Sequence, residues 1–153
     1  MRYNMSRIQP AKNTDHNRKA AYQEIEHTAD RALTIYGSNL RELLLNAARG
    51  MNSLLTREDN DVPPQAEKSI ALEAVDCESL LVEWLSELAY WAETELLVFH
   101  NFDLHSLSPT RVRATAHGSR VAHLEAHIKA VTYHNLEIVQ TDNGLTATVV
   151  FDV

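Results

Sequence analysis

Glycine is scarce in this chain, with four residues in 153. A loop that cradles phosphate needs glycines close together, and neither a P-loop nor a dinucleotide fingerprint is present. The serine nucleophile elbow is missing as well. Cysteine is scarcer still: Cys77 stands alone. That excludes an internal disulfide and a cysteine-built metal cluster, and it suits a reducing cytoplasm. No activating pattern surrounds Cys77, which reads as a small residue opening a helix. No apolar run approaches the roughly 20 residues that span a bilayer, and the first residues lack the apolar core of a secretory signal. The expected location is the cytoplasm, with no membrane partner.

What is present is ordinary for one globular domain: 44% hydrophobic and 23% charged residues, in a chain long enough to bury a core. The net charge of −7 is unevenly spread. Residues 1–19 carry five cations (Arg2, Arg7, Lys12, Arg18 and Lys19) against Asp15, a net +4 that leaves −11 on the rest. An acidic body repels phosphate backbones, so strong direct binding of nucleic acid is not expected. It suits a cation or a basic protein partner. Residues 1–19 show no apolar periodicity and read as a disordered basic tail; residues 20–153 form the domain.

Along the domain, AAYQEIE and RALTIYG read as two short strands flanking the turn EHTAD. Ser38 is the expected N-cap of a first helix, with Leu40, Leu43, Leu44, Ala47, Met51, Leu54 and Leu55 on one face and Arg41, Asn46, Arg49 and Ser53 off it. Pro63 and Pro64 end that pattern, and KSIALEAV reads as a third strand. Asp76 caps a second helix whose apolar face carries Leu80, Leu81, Trp84, Leu85, Leu88 and Trp91. LVFHNFDL, TRVRATAHG, LEAHIKAVTYH, LEIVQT and LTATVVFDV then read as strands, and Asn143-Gly144 signals a hairpin between the last two. Roughly eight strands and two helices without a βαβ rhythm give an α+β fold, two helices packed on a mostly antiparallel sheet.

Four places carry candidate chemistry. In EHTAD, Glu26 and His27 divide evenly between turn capping and a site. Asp152 puts a carboxylate at the end of the apolar strand ATVVFDV, beside the α-carboxylate of Val153. Lys129 interrupts HIKAVTY and is either a snorkelling lysine at a sheet edge or a functional cation. His123 and His127 share helical ligand spacing, but strand-forming neighbours put them roughly 13 Å apart, too far for one ion.

YQEIEHTADRALTIYGSNLRELLLNAARGM, LLVEWLSELAYWAETELLVF, EAHIKAVTYHNLEI and the terminal ATVVFDV resemble the archease family in order and spacing, over about Ala21 to Val153. The resemblance implies a strand–helix–strand–strand (SHS2-like) core with a helix-bearing insertion. It implies a non-enzymatic activator of an RtcB-type RNA ligase in tRNA splicing and RNA repair, one that promotes metal-dependent guanylylation and multiple turnover of the ligase. GTP and RNA would then be met only through the ligase. It also implies an acidic divalent-metal site formed by Asp30 and Asp152, for which Ca²⁺ is the first expectation and Mg²⁺ or Mn²⁺ the alternatives; Val153 adds a further oxygen donor. Lys129 belongs to the same cluster, and Glu26 and His27 match the motif.

Two other classes compete. One is a metal-dependent hydrolase with Glu26 or His27 as general base; the other is a chaperone-like module that binds protein or RNA. The hydrolase is opposed by the missing second histidine at ligand spacing. Deleting residues 1–19 is expected to leave the melting temperature unchanged. A loss of several degrees in a thermal melt would show that this segment packs on the domain.

Overall fold

The computed structural model describes residues 20–26, 30–57 and 63–153. The readings of residues 1–19, of His27 and of the Glu26 side chain lie outside them. The chain runs β1 (Tyr22–Glu26), β2 (Arg31–Gly37), α1 (Leu40–Leu55), β3 (Ala66–Glu73), α2 (Cys77–Glu95), β4 (Leu97–Ser108), β5 (Arg111–Arg120), β6 (Ala130–Val131), β7 (Val139–Thr141) and β8 (Gly144–Asp152). This is the expected α+β fold. Every strand pair among the described residues is antiparallel.

The strands divide into two sheets rather than one. The first has the order β1-β2-β8-β6, with β7 also on β8, and the second has the order β3-β5-β4. The second sheet and α2 form a single excursion, Ala66 to Arg120, between α1 and β6. It is the helix-bearing insertion that the resemblance implied. Both helices touch both sheets: α1 meets β2, β8 and β4, while α2 meets β3, β4, β5 and β6. The core lies along these contacts. Trp84 is fully buried, donates its indole N–H to the Leu44 carbonyl at 2.9 Å and tilts against Phe102 at 5.2 Å between ring centroids. Such a pairing satisfies the polar handle of a buried aromatic while using its whole surface.

The N-cap of α1 is Asn39, not Ser38. Asn39 has extended backbone, and its side-chain oxygen accepts the Glu42 N–H at 2.9 Å. Ser38 is taken by the same glutamate instead: its N–H and hydroxyl both donate to the Glu42 carboxylate, at 3.2 and 2.9 Å. The arrangement is a capping box moved one residue outward. Asn46, read as off the apolar face, is buried, and its amide donates to the Tyr36 carbonyl at 2.7 Å. That bond ties α1 to the end of β2. At α2 the expected cap holds. Asp76 accepts the Ser79 N–H at 2.7 Å, and its hydrogen bonds from Ser79 hold its carboxyl below the usual range.

The largest departure lies between β5 and β8. LEAHIKAVTYH contributes only Ala130 and Val131 to a strand, and LEIVQT only Val139 to Thr141. The backbone groups of these segments go elsewhere. The Glu125 N–H caps the Leu55 carbonyl of α1 at 2.8 Å, and the Ile138 N–H is taken by the Glu78 carboxylate of α2 at 3.1 Å. Between β6 and β7 a turn closes with Leu136 N–H on the Tyr133 carbonyl at 3.0 Å, and Asn135 sits at a φ of 52°. Since β2 lines one edge of β8, β6 and β7 share its other edge as one interrupted strand. The hairpin signal was sound: Thr141 pairs with Gly144, whose φ of 124° only glycine adopts readily.

Replacing Asn46 by Ala leaves the Tyr36 carbonyl without its buried donor. The expected loss in chemical denaturation is about 1–3 kcal/mol. A change below about 0.5 kcal/mol, the size of an ordinary surface substitution, would show that the bond carries no weight.

Candidate functional site

The register of the first sheet decides which polar residues meet. The ladder of β2 and β8 ends with Arg31 opposite Phe151, and Asp30 and Asp152 are the next residues along the chain on either side. By strand alternation Asp152 points to the face opposite Val149 and Phe151, both fully buried. Asp152 is exposed and Asp30 half-buried. The sequence separates the two aspartates by most of the chain, and the sheet joins them.

Lys129 reaches the same corner through its backbone. Its N–H donates to the Asp152 carbonyl at 2.7 Å, and Ala130 is the register partner of Asp152. Lys129 is exposed at the sheet edge and is one of the residues that line a cleft against α2. Val153, half-buried, follows Asp152 directly. Glu26 enters by its backbone alone, paired with Arg31 at the end of β1. The structure thus gathers the backbones of Glu26, Asp30, Lys129, Asp152 and Val153 at one end of one sheet.

Among the described residues, His100, His117, His123 and His127 are engaged separately. His123 and His127, now outside any strand, turn to different carboxylates, Glu125 at 3.3 Å and Glu93 at 3.2 Å. His117 stands between Asp103 at 3.0 Å and Glu67 at 3.5 Å. Those two carboxylates lie at opposite ring nitrogens, so they cannot converge with the imidazole on one ion. Burial lowers the pKa of His100, which meets the Ser119 hydroxyl at 3.1 Å. Burial also raises the Cys77 thiol, with Glu78 and Asp76 adding to the effect, so this cysteine stays a protonated helix-start residue. Among the described residues no three His, Cys, Asp or Glu side chains group as metal ligands.

The chemistry of the aspartate corner fits a hard cation. Carboxylates brought to one sheet end repel, and the domain around them is already acidic. Oxygen donors alone select Ca²⁺, Mg²⁺ or Mn²⁺ over softer ions. With few protein donors, water would complete the shell. Nothing in the sequence pattern announces the cleft beside Lys129. Its one trace there is the charge of α2, which carries five glutamates and neither lysine nor arginine.

The archease protein family (MTH1598/TM1083) model matches residues 22–153. The chain belongs to the archease family. Curated relatives named protein archease agree. That of Methanosarcina acetivorans is 36% identical over 140 residues, covering 86% of this chain and 95% of the relative. That of Methanopyrus kandleri is 33% identical over 141 residues, covering 86% and 99%. Among solved structures, protein 1598 of Methanobacterium thermoautotrophicum superposes with a TM-score of 0.73 at 28% identity, covering 88% of this chain and all of that one. An archease from Thermotoga maritima, described as a possible chaperone, superposes with a TM-score of 0.61 at 23% identity, over 86% of this chain and 96% of that one, a likeness of fold.

Carboxylates gathered at one sheet end destabilise the cation-free fold. Asp152→Asn is therefore expected to leave the melting temperature in chelator unchanged or slightly raised. Addition of Ca²⁺ should raise the wild-type melting temperature and not that of the variant. An equal Ca²⁺ response in both proteins would remove Asp152 from any metal site.

Proposed function

We propose that this chain is a non-enzymatic activator of an RtcB-type RNA ligase, acting in the cytoplasm in tRNA splicing and RNA repair. In this reading it promotes guanylylation of the ligase and lets it turn over repeatedly. GTP and RNA reach it only within the ligase complex. The observation that supports the reading best is the β2–β8 pairing, which brings Asp30 and Asp152 to one sheet end in a member of the archease family. No helix among the described residues is long and apolar enough to cross a membrane, in keeping with the proposed location.

The residues have distinct parts. Asp30 and Asp152, with an oxygen of Val153, would hold the divalent ion, Ca²⁺ first and Mg²⁺ or Mn²⁺ as alternatives. When bound, the ion supplies positive charge where phosphoryl oxygens gather during nucleotidyl transfer. Lys129 adds a compact cation on a flexible stem, suited to a phosphate or carboxylate met only in the complex. Its backbone bond to Asp152 fixes the root of that stem beside the carboxylates. Glu26 and His27 complete the motif. Nucleotidyl transfer depends mainly on positioning and charge stabilisation. A protein that presents ion-binding carboxylates and a lysine can supply both without a nucleophile of its own.

Asp30→Ala, Asp152→Ala and Lys129→Ala are each expected to stay folded by circular dichroism and to lower ligase guanylylation and turnover by at least tenfold, the loss of one charge-stabilising contact. Folded aspartate variants that activate like wild type would refute the proposed site. Turnover of RNA by the purified chain without any ligase would favour the hydrolase instead.

A further inference from the structure

β6 is the shortest strand of the first sheet, yet the chain that enters it carries Lys129 to the aspartate corner. Its ladder with β8 has two residue pairs, Ala130 with Asp152 and Val131 with Phe151. A strand so short opens easily, because few bonds must break together. Each of its ends is tied to β8 outside that ladder. At one end the Lys129 N–H donates to the Asp152 carbonyl at 2.7 Å. At the other end one residue, Thr132, donates twice to the Val150 carbonyl, from its N–H at 3.0 Å and from its hydroxyl at 2.9 Å. A carbonyl oxygen has two lone pairs, and this one has a donor for each. The same hydroxyl accepts the His134 N–H at 3.3 Å. It thereby joins β6 to the turn that the Leu136 N–H closes on the Tyr133 carbonyl. Thr132 is half-buried, so water competes only in part for these bonds.

We infer that Thr132 is a positioning residue of the proposed site: its hydroxyl locks β6 on β8 and so holds the root of Lys129 beside Asp152. The inference rests on the ligase-activator reading and adds to it a residue that acts through Lys129. Lys129 directly precedes β6, so a slip or opening of that strand moves its backbone relative to Asp152. A lysine on a flexible stem already loses rotamer freedom when it meets a phosphate or carboxylate. A fixed root spares it the further cost of ordering the backbone. Valine shares the β-branched shape of threonine and suits a strand equally well. Shape and strand preference therefore do not call for a hydroxyl at this position, whereas the Val150 carbonyl and the His134 N–H do.

The test compares Thr132→Val, which keeps the shape, with Thr132→Ser, which keeps the hydroxyl, both in the full chain. In the chain alone, amide hydrogen exchange at Lys129 should speed up roughly threefold to tenfold in Thr132→Val, the effect of one lost hydrogen bond. Exchange at Leu33 and Val149 should not change, and Thr132→Ser should exchange like wild type. With the RtcB-type ligase of the same source, Thr132→Val should lower guanylylation by a similar factor even at saturating chain, and Thr132→Ser should restore it. In a Lys129→Ala background, Thr132→Val should cause no further loss. Unchanged Lys129 exchange in Thr132→Val, or faster exchange that spreads to Leu33 and Val149, would overturn the inference. So would a serine variant as impaired as the valine one, or a loss that adds to that of Lys129→Ala. If Thr132→Val loosens Lys129 and still activates like wild type while Lys129→Ala does not, the inference falls and the activator reading stands. If the wild-type chain gives no stimulation of guanylylation while Lys129 exchange follows the hydroxyl, the lock on β6 stands and the activator reading is refuted.

Discussion

The pairing of β2 with β8 is the interaction on which the rest of the molecule depends. It brings the second strand of the domain against its last, so the first sheet needs both ends of the domain. Its register is pinned from inside. The Thr34 and Thr148 hydroxyls share a hydrogen bond at 3.0 Å on one face, while Leu33, Ile35, Val149 and Phe151 are fully buried on the other. A slip of one residue would turn Phe151 outward and Asp152 into the core. The same buried residues that stabilise the sheet therefore also bring Asp30 and Asp152 to one end of it.

This arrangement separates the core residues from the proposed site along one strand. Up to Phe151 the residues of β8 serve the core; at Asp152 the sheet runs out and polar groups accumulate. Like charges gathered at one sheet end would be selected against for stability alone. Set at the rim, they cost little and remain within reach of a cation or a partner. The interrupted edge of β6 and β7 extends the pattern. Backbone groups that a longer strand would use on β8 or on a neighbour are spent on the end of α1 and the start of α2. The short β6 is left with an open side beside an apolar cleft.

Much of the fold was legible because it rests on local rules. The alternation in RALTIYG, the apolar faces of both helices, the Asp76 cap and the Asn143-Gly144 turn each record a contact within a few residues. The errors share another origin. Ser38 and Asn39 are both good caps, and only the position of Glu42 relative to each decided between them. LEAHIKAVTYH has the composition of a strand, but its backbone partners are a helix end and two residues of β8, and composition cannot register that. Asn46 looked exposed because its partner, the Tyr36 carbonyl, belongs to another element. For the site, pattern alone singled out Asp152 and Lys129 as misfits in apolar strands. Their union with Asp30 came from the family resemblance, and the sheet brings the three backbones to one end. The cleft on α2 could not be read from sequence, since it exists only where two distant segments fail to close.

The proposal that the end of the β2–β8 pair holds a divalent cation is tested most directly by paramagnetic relaxation. In a two-dimensional amide spectrum titrated with Mn²⁺, the signals of Asp30, Arg31, Lys129, Asp152 and Val153 should broaden first, and excess Ca²⁺ should restore them. Broadening centred instead on His117, Asp103 and Glu67 of the second sheet, or spread evenly over the acidic surface, would contradict the account.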